Sequence, residues 1–428
     1  MYSGCRGCLV WWDSEKFQKS RVGRGMSAPA AYDSHRISWH GDVCLGIAQI
    51  MVWGGSLFLL AVLAEPIHAD TGWSMTWIYG ALSLGVLVSA LLSPTAGRRI
   101  ASGQGRAVLI AAGLAIALGM AIVGLAEHFL VFLLGWCVIG VGMAGGLYDP
   151  LFATLGRHYG RESRKSINTV TLVAGFASTV AWPIQAWMVG AWGWREACLG
   201  YAAVLMLAVV PLYCYAMPRH HLVLDGPTAV ETKAVAPRGV DELPAGLYGL
   251  LSLVFSIAAI FMTAMSVQII LLLKGSGHSD AAAIALAALI GPSMVFVRFL
   301  SMPFRHLPPV WLALFSAGCV ALGLALISVA PMAAAFGIVC YGVGNGLRAV
   351  VRGTLPLYLL SPASLPLVMG RLSRSSLLCQ ALTPVACGFL FTHLGAQGTL
   401  WSLTALALAN AVLTVVLLQR IKAGVKLA

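Results

Sequence analysis

FLVFLLGWCVIGVGMAGGLYDPLFATL, residues 129–155, is the stretch that decides the fold. A helix needs about 20 mostly apolar residues to cross the hydrocarbon core of a bilayer, and this run meets that length with a single carboxylate, Asp149, inside it. A transmembrane β-strand would instead alternate apolar and polar residues over roughly ten positions. Here the apolar residues are continuous, so the segment reads as a lipid-immersed helix. A charge inside such a helix is expensive and rare, which makes Asp149 the first candidate functional residue.

Eleven further runs of the same kind flank it. In chain order the predicted crossings are α1 Val43–Leu63, α2 Met75–Leu92, α3 Ala107–Leu125, α4 Phe129–Leu155, α5 Ile167–Val189, α6 Ala197–Met217, α7 Leu247–Leu273, α8 Ala281–Leu300, α9 Val310–Val329, α10 Met332–Leu360, α11 Ser375–Phe391 and α12 Leu400–Leu418. The composition agrees: 59% of the 428 residues are hydrophobic and 10% charged, where a soluble domain carries about a quarter charged. A soluble fold is excluded. The expectation is an all-α membrane protein of twelve transmembrane helices in two six-helix bundles.

The formal net charge is +12, but the basic residues sit in short segments between apolar runs and form no aromatic-interleaved patch for nucleic acid. They follow instead the bias of Lys and Arg toward cytoplasmic loops. With the amino terminus inside, the loops after α2, α4, α8 and α10 carry Arg98, Arg99, Arg106, Arg157, Arg161, Arg164, Lys165, Arg305, Arg371 and Arg374. The outer loops hold only Arg195 and Lys274, and Arg298, Arg348 and Arg352 lie within spans. An odd helix count would destroy this asymmetry. The predicted organisation is a cytoplasmic tail 1–42, a six-helix bundle 43–217, a polar central loop 218–246, a second bundle 247–418 and a cytoplasmic tail 419–428. The tail contains Cys5-x-x-Cys8, which lacks partner ligands for a metal site, and Met26, an alternative translation start. Multi-pass insertion in the plasma (inner) membrane as a monomer is expected.

Internal similarity supports the split. Gly46-Ile47-Ala48-Gln49 in α1 has a counterpart in Ser256-Ile257-Ala258-Ala259 of α7, with Ser56 matching Ser266 at the same offset. Cys137-Val138-Ile139-Gly140-Val141-Gly142 in α4 is echoed by Cys340-Tyr341-Gly342-Val343-Gly344 in α10, and Ala181-Trp182-Pro183 in α5 by Leu382-Thr383-Pro384 in α11. The matches run in order, as parallel repeats do.

With this layout the chain resembles the major facilitator superfamily. Pro94-x-x-Gly97-Arg98-Arg99-Ile100-Ala101-Ser102-Gly103-Gln104-Gly105-Arg106 is similar to a loop signature of that family through Gly97, Gly105 and Arg106; Ala101 replaces its usual acidic residue. Tyr159-Gly160-Arg161-Glu162-Ser163-Arg164-Lys165 with Leu172-Val173-Ala174-Gly175, and Asp70-x-Gly72-Trp73-Ser74, resemble the monocarboxylate and oxalate–formate porter branch. The resemblance implies alternating access around a midplane cavity lined by α1, α4, α7 and α10.

Within that frame, Asp149 follows Gly142, Gly145, Gly146 and Tyr148, and reads either as a coupling-proton carrier or as a structural partner of an arginine. Tyr341, Asn345, Arg348 and Arg352 are spaced to share one face of α10, and guanidinium forks suit carboxylate ligands. One arginine would bind an anionic substrate and the other balance Asp149; a pure gate pair is the alternative. Gln49, Trp53 and Ser56 share a face of α1, and Thr263 and Ser266 a face of α7, as candidate cavity walls. Trp53 beside Gly54-Gly55 is an aromatic lid or packing. Arg298, close to the inner end of α8, reads as a flank snorkelling to the inner interface, with a ligand-binding role as the alternative. Gln268 reads as interfacial and Gln380 as an interhelical hydrogen bonder. No phosphate-binding Gly-x4-Gly-Lys-[Ser/Thr] loop is present, and no cofactor is expected. The function expected is a proton-coupled transporter of a small, monocarboxylate-like organic anion, with sodium as a second candidate ion. An efflux pump for hydrophobic or cationic compounds is the alternative, and a membrane-embedded enzyme or sensor the reading from another class.

Overall fold

A computed structural model describes residues 38–217, 243, 246–303, 307–329 and 331–427. The features at Cys5, Cys8 and Met26, the body of the central loop and Arg305 lie outside the described residues. Among the described residues nine helical stretches are long and apolar enough to cross a bilayer. Two of them, Met75–Gly124 and Leu365–Ala423, are each about twice that length and turn at Gly103 (φ 89°) and Gly395 (φ 68°). Both turns need the left-handed backbone that glycine adopts without steric penalty. The first crossing is split into Trp39–Gly54 and Leu60–Thr71, each too short to span alone. Twelve crossings result.

Four predicted spans prove to be interrupted rather than continuous. α1 breaks after Gly54; α4 is Phe129–Gly146 and Tyr148–Tyr159; α5 is Ser163–Val173 and Ala177–Trp192; α8 is Asp280–Ala288 and Ile290–Ser301. Hydropathy cannot register such breaks because the residues on either side stay apolar. The predicted start of α11 at Ser375 also moves, to Leu365. Arg371 and Arg374 had read as loop; in the structure they project, exposed, from an intact helix. The other crossings are α2 Met75–Arg99, α3 Gly105–Gly124, α6 Trp194–Ala216, α7 Leu247–Gly275, α9 Pro309–Val329 and α10 Ala334–Leu359.

Small residues set the helix crossings, as expected where lipid removes the hydrophobic drive between helices. In the first half, a Cβ on Gly119 of α3 would lie 2.8 Å from the Gly135 carbonyl oxygen of α4. In the second, a Cβ on Gly323 of α9 would lie 2.6 Å from the Gly337 carbonyl of α10. The two contacts occupy corresponding repeat positions, so the pseudo-symmetry reaches the backbone.

The halves meet at the end that carries Arg98, Arg99, Arg157 and Arg371, called here the basic end. Contact runs through α2 against α11, Tyr148–Tyr159 of α4 against α10 and α11, and Ser163–Val173 of α5 against α8 and α10. At the α2–α11 crossing, a Cβ on Gly97 would sit 2.5 Å from the Pro366 carbonyl, and one on Gly370 2.7 Å from the Ser93 carbonyl. Arg164 of α5 donates to the Leu307 carbonyl at 2.6 Å, also across the halves. The outer pieces Leu60–Thr71 and Ala177–Trp192 pack mainly within their own half. There Asp70 pairs with Arg195 and accepts from the Trp194 indole at 3.0 Å.

Gly97→Val is therefore expected to overpack the basic end, costing about 1–3 kcal/mol and lowering the apparent Tm in detergent. Gly80→Val, where an added Cβ meets nothing within 4 Å, should leave it unchanged.

Candidate functional site

The site begins with a missing hydrogen bond. Pro150 has no N–H, so the carbonyl four residues earlier, Gly146, loses its helical partner. α4 breaks there, with Leu147 extended (ψ −173°). Gln49 of α1 fills the gap, donating from Nε2 to the Gly146 oxygen at 2.7 Å, with Tyr213 Oη at 3.1 Å. The second piece restarts at Tyr148, so Asp149 occupies its first turn. That is where the helix dipole favours an anion, and Pro150 is tolerated in the same turn.

Asp149 belongs to the first half, but its partners belong to the second. Arg352 of α10 grips it with both prongs, Nε to Oδ1 and Nη2 to Oδ2, each at 2.6 Å. The Ser373 hydroxyl of α11 donates to Oδ2 as well. Arg352 is itself steadied by Ser376 Oγ at 3.2 Å and lies 5.7 Å from the Phe255 ring centroid. The side chains are 14% and 11% exposed, so the pair sits largely out of solvent, where bidentate charge-assisted bonds are strongest. A small cavity beside it is lined by Ser93, Gly97, Met369 and Gly370.

The other two arginines have only neutral partners. Arg348 Nε donates to Asn345 Oδ1 at 2.8 Å and Nη2 to the Met262 sulfur at 2.8 Å, a weak acceptor. Arg298 is 5% exposed. It donates to the Gly346 carbonyl of α10 at 3.1 Å and to the Thr171 carbonyl of α5 at 2.8 Å. The α5 break at Ala174–Phe176 frees that carbonyl, and Gly175 leaves room, since a Cβ there would lie 2.5 Å from Arg298 Nη1. Arg298 is thus no snorkelling flank. The break in α8, with Pro292 in the first turn of Ile290–Ser301, aims it inward. Tyr148 lies in the field of both Arg298 and Arg348.

The remaining candidates separate. Trp53 stacks near Tyr148, ring centroids 5.0 Å apart, and its indole donates to Gln49 at 3.3 Å. Gln49 and Ser56 are fully buried, Ser56 bonding the Val52 carbonyl of its own helix, so both belong to the interior of the first bundle rather than to a cavity wall. Tyr341 is also interior, donating to the Phe261 carbonyl at 3.1 Å. Thr263 is half-buried on the Ala259 carbonyl and Ser266 is exposed. Gln380 of α11 reaches the Met262 sulfur at 3.8 Å. Sequence reasoning missed Ser373, Ser376 and Met262. A signal for the first two existed: they stand three residues apart in a serine-rich helix end.

Because Arg352 and Asp149 are buried together, removing one leaves the other unpaired. Arg352→Ala is expected to destabilise the protein by about 3–5 kcal/mol, read as a fall in apparent Tm. The double change Asp149→Asn with Arg352→Gln should recover much of it, and a double variant no better than Arg352→Ala alone would argue against the pairing.

Residues 45–351 match the family model described as Major Facilitator Superfamily. A Pseudomonas aeruginosa relative, Transcription regulatory protein OpdE, is 30% identical over 178 residues, 40% of this chain and 42% of that protein, so the match spans less than half of its length. The fold is similar to the human organic anion transporter MFSD10 (TM-score 0.68, 16% identity, 88% of this chain and 98% of that one). It is also similar to the proton:xylose symporter XylE (TM-score 0.70, 11% identity, 90% of this chain and 95% of that one). With more than half of the chain matched by the family model and the twelve-helix fold shared, the chain belongs to the Major Facilitator Superfamily, whose members are membrane transporters rather than enzymes.

Proposed function

We propose that the protein is a proton-coupled secondary transporter of a small organic anion of the carboxylate class, working by alternating access. The observation that carries this reading is Arg348, a guanidinium deep in α10 whose partners are an amide and a thioether. A buried cation without a counter-charge is costly, and a carboxylate is the complement its fork fits. Orientation follows the Lys and Arg bias: the basic end faces the cytoplasm, both termini are inside, and the protein acts as a monomer in the plasma (inner) membrane.

In this reading the contacts at the basic end correspond to an outward-facing state. The anion enters from outside and settles on Arg348, near Trp53 and Tyr148. Protonation of Asp149 removes the charge that Arg352 holds and weakens the bond between the halves, so the inner end opens and both anion and proton leave. The three buried arginines oppose the alternative of a cation-efflux pump. A second reading, a membrane regulator that binds ligand without moving it, is favoured by the similarity to OpdE, a transcription regulatory protein.

Counterflow of labelled carboxylates into proteoliposomes separates these readings. Unchanged label should exchange across the wild-type protein. Arg348→Gln should weaken the apparent affinity by roughly 10–100-fold, the loss of one charge-assisted contact worth about 1.5–3 kcal/mol. Asp149→Asn should keep exchange but lose accumulation driven by a pH gradient. Binding without exchange would favour the regulator, and normal uptake by Arg348→Gln would remove the basis of the site.

A further inference from the structure

Among the described residues the charged groups deep in the spans are Asp149, Arg298, Arg348 and Arg352. Asp149 and Arg352 neutralise each other. Arg298 and Arg348 donate no hydrogen bond to that pair, although Arg348 feels the charge of Asp149, and their hydrogen bonds go to neutral acceptors: backbone carbonyls for Arg298, an amide and a sulfur for Arg348. The two guanidinium groups are near enough to interact electrostatically, and Tyr148 lies in the field of both. Among the described residues the site therefore holds two positive charges with no carboxylate of their own. One negative charge on Arg348 would leave the second cation uncompensated in the poorly solvated interior.

We propose that the site takes an anion carrying two negative charges, one resting on Arg348 and the other on Arg298, with the Tyr148 hydroxyl between them. Dicarboxylates and phosphate monoesters share this chemistry. The inference rests on the anion-transport reading above and narrows it, because the sequence favoured Arg298 as a snorkelling flank over a ligand and assigned one arginine to one anionic substrate. The position of Arg298 adds a consequence. Its bond to the Thr171 carbonyl crosses between the halves, and Gly175 is the opening through which it reaches. An anionic group drawing Arg298 toward the cavity competes with that bond, so the second charge of the substrate loosens a contact that keeps the basic end shut. A singly charged anion on Arg348 leaves the contact in place.

The test uses the purified full chain and ligand-induced thermal stabilisation with butyrate, succinate and phenyl phosphate, which differ in charge and in anionic group. The wild-type protein should bind succinate, phenyl phosphate or both at least about ten times more tightly than butyrate, a difference of about 1.4 kcal/mol. Arg298→Gln should abolish that preference and leave the butyrate midpoint within about twofold, while Arg298→Lys, which keeps the charge, retains part of it. Gly175→Ala is the second variant: its methyl would lie 2.5 Å from Arg298 Nη1 in the position bonded to Thr171, so it should release Arg298 from that carbonyl and tighten the divalent probe selectively without removing any charge. Butyrate binding as tightly as both divalent probes, or a divalent preference that survives Arg298→Gln, overturns the two-charge assignment while the anion reading stands. Binding of none of the three overturns both.

Discussion

The bond between Asp149 and Arg352 is the constraint on which the arrangement depends. Each partner alone would be an isolated charge in a poorly solvated environment, which a protein cannot hold cheaply. Together, with Ser373 and Ser376 completing the hydrogen bonds, they form a neutral unit. Since the carboxylate comes from the first half and the guanidinium from the second, satisfying the charges and closing the basic end are the same event. The glycine crossing of α2 and α11 beside the pair lets the backbones come close enough for this.

Broken helices supply the geometry. Pro150 deprives Gly146 of its partner, Gln49 repairs the loss, and the restarted helix presents Asp149 at its first turn. The same logic recurs in α1. There, Gln185 donates to the Gly54 carbonyl at 2.9 Å. It recurs again in α5, where the freed Thr171 carbonyl is taken by Arg298 from the opposite half. Non-helical backbone at membrane depth is tolerated only where protein or a cavity covers it. The breaks thus concentrate polar groups in the interior, the arrangement expected of a transport site built from discontinuous helices.

Much of this was legible in the sequence. Twelve apolar runs, their charge asymmetry and the two repeats followed from composition and order alone, and the spacing of Arg348 and Arg352 placed them on one face of α10 as partners for an anion and for Asp149. Three things were not legible. Arg298 stands near the end of an apolar run, and depth counted along a straight helix puts it at the interface; only the Leu289 break turns it inward. Gln49 looked like a cavity residue because its helix face was right, yet the decisive fact was an unpaired carbonyl 97 positions away. Ser373 fell in a loop and Ser376 at the very start of the predicted α11, since Arg371 and Arg374 interrupt the hydropathy, although those arginines project from an intact helix. Each miss concerns where a side chain points once backbone breaks are introduced, which periodicity does not encode.

The central claim is that charge neutrality of the Asp149–Arg352 pair holds the basic end closed. Spin labels at Gln104 of the first half and Ala363 of the second, on a background lacking the native cysteines, report the separation of the halves at that end in lipid. The account predicts a single short distance for the wild-type pair at neutral pH and a shift toward longer distances in Asp149→Asn. An unchanged distance distribution in that variant would contradict it.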